Sequence, residues 1–218
     1  MVSIFRGLTI VLISMAKPPA AVRDPKEAAI IKAARTTFLA RGYDGASMDE
    51  IALAANVSKR TVYNRFRSKE ELFAASIEET CRRILPVDMA AIEASRTTEQ
   101  FVQEMARAFM QGILQPDALA LRRIAAFEAG RNPALGRSYL EHGPAYMAAT
   151  FAPVLARAAK REGIPIDDVE TAIYRLGALI SEPLYTEVLL GAAPDDMDAA
   201  IDAQIASGLK AFWRIYGR

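Results

Sequence analysis

Residues 47–73, SMDEIALAANVSKRTVYNRFRSKEELF, decide the fold of this chain. Met48, Ile51, Ala52 and Ala55 recur at the spacing of one buried helix face. Ser47 stands directly before that stripe and Glu50 three residues later, the pattern of a reciprocal N-terminal cap. Asn56 predicts the end of this helix near Ala55, because asparagine tolerates a left-handed backbone. Ser58 then caps a second helix expected over residues 59–66. Val57, Val62 and Phe66 share its buried side, while Lys59, Arg60, Thr61, Tyr63 and Asn64 form the other. That outer face holds no acid. A short helix of this kind suits the major groove of DNA, where Arg and Lys reach guanine acceptors and Asn pairs with adenine. Ser68 and Glu71 open a third helix.

Working outward, Asp24-Pro25-Lys26-Glu27 is a concentrated helix start. Ile30, Ala34, Thr37 and Phe38 give that helix its inner stripe, and Gly42 ends it. This helix is expected to pack behind the helix-turn-helix and complete a three-helix head. Charge supports the division. Residues 23–72 carry ten Lys/Arg against seven Asp/Glu, whereas residues 73–218 carry fifteen against nineteen. A locally basic head on an acidic body fits DNA contact confined to the head.

The remaining punctuation marks only helices. One runs from Ser68 to about Leu85 and stops at Pro86; Thr97 with Gln100 starts another. Further helices are expected over about 117–131, from Asn132-Pro133, and from Gly143-Pro144 to Gly163. Asp167 with Glu170 caps a segment reaching Gly191 with a kink at Pro183, and the last helix covers about 195–216. No stretch alternates in the manner of a strand, so the fold is expected to be all-α. The expected domains are residues 23–72 for DNA binding and 73–218 for the rest. Residues 1–22 form an extension, either a loosely ordered arm or sequence upstream of a true start at Met15.

Composition excludes several chemistries. One cysteine, Cys81, permits no intrachain disulfide and points to a reducing, cytoplasmic setting. Arg82 and Arg83 flank it and would lower its pKa; the plainer reading is a small core residue. With one cysteine and one histidine, His142, the chain offers no zinc set, and the paired Glu-x-x-His motifs of di-iron bundles are missing. His142 reads as a cap or surface residue. No Gly-rich phosphate loop or nucleophile elbow is present, so neither a cofactor nor an enzymatic activity is expected. The apolar run from Leu8 to Met15 is too short to span a bilayer.

Residues 57–66 and 68–73, with Phe38, Arg41-Gly42-Tyr43 and Ser47, closely resemble the DNA-binding signature of the tetracycline-repressor (TetR) family. Asn56 departs from the glycine usual in that family, at a position where either residue fits the backbone. Residues 117–216 resemble the AefR-like subgroup, through Phe127-Glu128-Ala129 to Asn132-Pro133, Glu141-His142-Gly143-Pro144, Leu189-Leu190-Gly191 and the 212–217 ending. The resemblance implies base contacts from Lys59, Arg60 and Thr61, with Asn64 a further candidate. It implies phosphate contacts from Ser47, Tyr63 and Lys69. It also implies a body that binds a small hydrophobic or amphipathic inducer and forms a homodimer on a palindromic operator in double-stranded DNA.

Met105, Phe109, Phe127, Tyr146, Met147, Phe151 and Tyr174 fall on different helices of the body. Each alone reads as core; together they are candidates to line a pocket, with Glu182 as an orienting charge. Ile173, Leu176, Leu179, Ile180, Leu184 and Val188, then Ile201, Ile205, Leu209, Phe212 and Trp213, offer more apolar surface than one small body covers. A four-helix dimer interface is the expectation. The reading is a repressor released by an inducer. A ligand-independent co-regulator or activator of the same fold, and a helical-bundle enzyme, stay open beside it.

Overall fold

The structure, a computed structural model, describes residues 24–84 and 97–217; the expectations for residues 1–22 and for Pro86 lie outside them. The described chain is all-α, with no strand among the described residues. Helix α1 spans Pro25–Arg41, α2 Met48–Ala54, α3 Lys59–Tyr63 and α4 Lys69–Ile84. The body adds α5 Thr98–Ile113, α6 Pro116–Ala129, α7 Pro133–Leu140, α8 Tyr146–Glu162, α9 Val169–Ser181, α10 Leu184–Leu189 and α11 Met197–Ile215.

The head forms as its caps dictate. Asp24 accepts from the Lys26 amide at 2.9 Å, and Gly42 ends α1 at φ 71°. Ser47 and Glu50 cap α2 reciprocally. Asn56 adopts the left-handed backbone, φ 53°, that the turn requires. Behind these helices Phe38, Tyr43 and Phe73 interlock, with ring centroids 5.2 to 5.8 Å apart. Phe38 and Phe73 are fully buried. Helix α3 is shorter than expected. Its regular part stops at Tyr63, and the chain then turns through Arg65 and Phe66, whose amides both donate to the Val62 carbonyl. Phe66 still reaches the core, 5% exposed, so the buried side extends past the helix itself.

Helix α4 crosses position 72/73 without interruption. Leu72 and Phe73 belong to the head core, and the same helix carries Ile77 and Cys81 into the body. Two further ties join head and body. Arg35 on α1 meets Asp117 at 3.6 Å, and Asp44 meets Arg131 at 3.8 Å.

Three expectations for the body are corrected. Pro144 does not open a helix: α7 continues through a π-helical turn, Glu141–Ala145, into α8, and the wider turn accommodates the proline that lacks an N–H. The cap of α9 is Asp168, not Asp167; its carboxylate accepts from the Thr171 amide at 3.0 Å. At Pro183 the helix breaks rather than kinks, because Glu182 is extended at φ −92°, ψ 142°.

Helices α9 and α11 pack along their length. Their backbones meet at Gly208, where a Cβ would lie 2.4 Å from the Leu179 carbonyl oxygen. This packing revises the expectation of a large uncovered apolar surface. Leu176, Ile180, Leu184, Ile201, Ile205, Leu209, Phe212 and Trp213 are buried within one chain, and Ile173, Leu179 and Val188 are half-buried. The exposed faces are mixed, with Tyr174, Arg175 and Ala178 on α9, and Asp202, Ala203, Ala206, Ser207 and Lys210 on α11.

Candidate functional site

Helices α2 and α3 place the residues proposed for DNA on one side of the head. Lys59, Arg60, Tyr63 and Asn64 are exposed, Tyr63 at 45%, while Val62 between them is fully buried and fixes the helix orientation. The Lys59 ammonium lies 2.8 Å from Asp49, and that hydrogen bond favours its charged form. Both partners are in water, so the pair is weak and a phosphate or base can replace the carboxylate. Thr61 is half-buried, with its hydroxyl 2.8 Å from that of Ser58. The Ser47 hydroxyl is engaged with Glu50. Arg41 pairs with Glu50 at 3.0 Å and braces α2 against α1.

Lys69, expected at a phosphate, is also engaged within the head. Its ammonium donates to the Tyr43 carbonyl at 2.7 Å and the Ala46 carbonyl at 3.1 Å, and lies 4.4 Å from the Tyr43 ring centroid. In this arrangement it ties the start of α4 to the loop before α2 through two of its three N–H donors, which leaves the third for a phosphate.

The body holds a half-open cavity of about 260 Å³ between α4, α5, α6, α8 and α9. Of the residues expected there, Met105, Phe109, Met147, Phe151, Tyr174 and Glu182 line it. Phe127 and Tyr146 do not. Phe127 is 66% exposed and lies beneath the Arg131 guanidinium, because Leu121, Ala125 and Glu128 take the inner face of α6. Tyr146 is core, 6% exposed, with its hydroxyl buried and unpaired among the described residues.

The sequence reading missed the polar corner of this cavity. Arg122 from α6, Tyr139 from α7 and Tyr185 from α10 meet at its wall. The Arg122 guanidinium lies 4.8 Å from the Tyr185 ring centroid and within polar reach of both phenol oxygens. Burial raises the pKa of both phenols, so both are neutral near neutral pH. One signal was available: Arg122 falls between Ala118 and Ala125 at helical spacing, an arginine on an otherwise apolar stripe.

Cys81 lines the same cavity, and burial pushes its thiol up to about 12, with Glu78 adding to the rise. The neighbouring arginines do not activate it. His142 sits in the π turn, its Nδ1 2.9 Å from the Ser138 carbonyl oxygen and its Nε2 3.6 Å from Glu78. The described residues include no cluster able to hold a metal ion, and no helix among them is long and apolar enough to cross a membrane.

Two family descriptions match this chain. Residues 30–76 fit bacterial regulatory proteins of the tetR family, and residues 100–218 fit the C-terminal domain of AefR-like transcriptional repressors. A transcriptional activator of Mycolicibacterium smegmatis, FasR, is 33% identical over 91 residues; that match spans 42% of each chain. A TetR-family regulator of known structure from Mesorhizobium loti superposes with a TM-score of 0.74 at 28% identity, covering 88% of this chain and 97% of that one. The flavonoid-responsive regulator FrrA superposes at 0.68 with 34% identity, covering 87% and 96%.

Proposed function

Because the chain belongs to the tetR family of bacterial regulatory proteins and is a DNA-binding transcription regulator, we propose that it is a homodimeric repressor released by a small molecule. The observation that carries this reading is the double membership of α4. Phe73 of this helix sits in the head core, and Ile77, Thr80, Cys81 and Ile84 of the same helix line the cavity. A molecule that reshapes the cavity therefore acts on the element that orients α2 and α3. Helix α6 offers a parallel route, since it bears Arg122 in the wall and Asp117 against Arg35 of the head.

In the operator complex Arg60 and Asn64 reach base edges, with Lys59 joining them once it leaves Asp49. Tyr63 and Ser47 contact the backbone and set register. Ala203, Ala206 and Ser207 on the exposed side of α11, with Ala178 on α9, leave room for the same two helices of a second chain, which gives a four-helix interface about a two-fold axis. Such a dimer presents two copies of α3, and the inducer favours a dimer whose heads no longer match both half-sites. The ligand shifts this equilibrium only by its difference in affinity for the two forms.

Footprinting on the DNA flanking the gene, with the mass of the complex measured in parallel, tests the proposal. The expected result is protection of two inverted half-sites by an even number of chains. Protection of a single half-site by one chain contradicts it.

A further inference from the structure

We propose that the cavity is selective for an apolar monoanion, an alkyl or arylalkyl carboxylate whose head group sits against Arg122, Tyr139 and Tyr185. The inference rests on the cavity being the ligand site. Its first support is the contrast within the wall. Ile77, Met105, Phe109 and Phe151 present hydrocarbon, and among the described residues one fixed cation, Arg122, interrupts them. Among the described residues Arg122 is paired with two phenols rather than with a carboxylate. Arg122 is half-buried beside an apolar void with no carboxylate partner among the described residues, and a ligand carboxylate would supply that counter-charge.

Hydrogen-bond supply points the same way. A guanidinium has five N–H donors and no acceptor, and two neutral phenols each add one O–H. Whatever bonds these three side chains make with one another, donors remain in excess. A carboxylate offers two oxygens with about four acceptor sites, accepts in pairs from arginine and has room for a phenol O–H. A neutral alcohol offers one oxygen and no charge. A cation meets Arg122 with like charge.

The three groups arrive from α6, α7 and α10, and an apolar tail lying toward α5 and α8 would fill the remainder of the space. Glu182 also borders the cavity, but it is exposed and exerts the least of the influences on Tyr185. Water screens it from the buried end.

Calorimetric titration of the full-length protein with sodium decanoate, and separately with decan-1-ol, tests the assignment. Wild type is expected to bind decanoate about ten- to a hundredfold more tightly than the alcohol, the range of a charge-assisted contact. Arg122→Met, which keeps most of the side-chain volume, should lose that advantage and leave the alcohol unchanged. Tyr139→Phe and Tyr185→Phe should each lose less. Cys81 is the only thiol in the chain, so its reaction with 4,4′-dithiodipyridine reports occupancy of this cavity, and decanoate should slow it.

Equal affinity for acid and alcohol, or equal loss of both in Arg122→Met, overturns the proposal. If the alcohol still slows the Cys81 reaction in that case, the cavity stands as a ligand site for neutral molecules. If neither compound binds nor protects Cys81, the anion assignment fails together with the cavity as a site for alkyl ligands. Should Arg122→Met melt early, Arg122→Gln carries the same comparison.

Discussion

In the head, Phe38, Tyr43 and Phe73 close on one another, and the residues proposed to contact DNA lie outside that core. In the body, Met105, Phe109 and Phe151 stop short of filling the space between their helices, and the charged Arg122 turns toward it. The contrast separates two ways of building a site. A surface reader leaves the packing behind it complete, because DNA needs only a rigid face. A cavity site gives up dispersion contacts along its walls, and an occupant restores them.

The contrast makes ordered predictions. Phe38→Ala should cost about 3–5 kcal/mol in urea unfolding, since it empties a filled core. Phe151→Ala should cost clearly less, because one side of that ring already faces the void. Equal losses at the two positions would break the comparison. Next comes Gly208→Ala, which forces α9 and α11 apart at the Leu179 carbonyl and should cost about 1–3 kcal/mol by the same measurement. An unchanged midpoint would show that these helices have slack. The smallest effect is expected at the turn of the head. Asn56→Ala places an alanine at φ 53° and should cost about 1 kcal/mol, with Asn56→Gly close to wild type.

The head was legible from sequence because its determinants are short-range. Ser47 meets Glu50 three residues away, Asn56 sets its own backbone, and Asp24 caps the helix it precedes. Lys69 shows where this reasoning stops: its acceptors lie on Tyr43 and Ala46, and only the packed head brings them within reach. In the body the corner of Arg122, Tyr139 and Tyr185 joins three helices that no local pattern links. Phe127 was misplaced for a related reason. Glu128, a polar residue, takes the inner position that hydrophobicity alone assigns to its neighbour. The two adjacent acids at the start of α9 are equivalent by composition, and only the observed bond from Thr171 selects Asp168. Apolar surface assigned to a dimer interface was consumed within one chain, because Gly208 lets α9 and α11 approach closely enough to bury it.

The central claim is that α3 reads a specific DNA sequence, and fluorescence anisotropy with the DNA flanking the gene measures it most directly. Wild type and Arg60→Ala are compared on that DNA and on scrambled DNA of equal length, each at two salt concentrations. Salt-sensitive binding that favours the flanking DNA is expected, with Arg60→Ala losing about 1–3 kcal/mol on it and little on scrambled DNA. Equal affinity of wild type for both DNAs, or no change in that preference in Arg60→Ala, would contradict it.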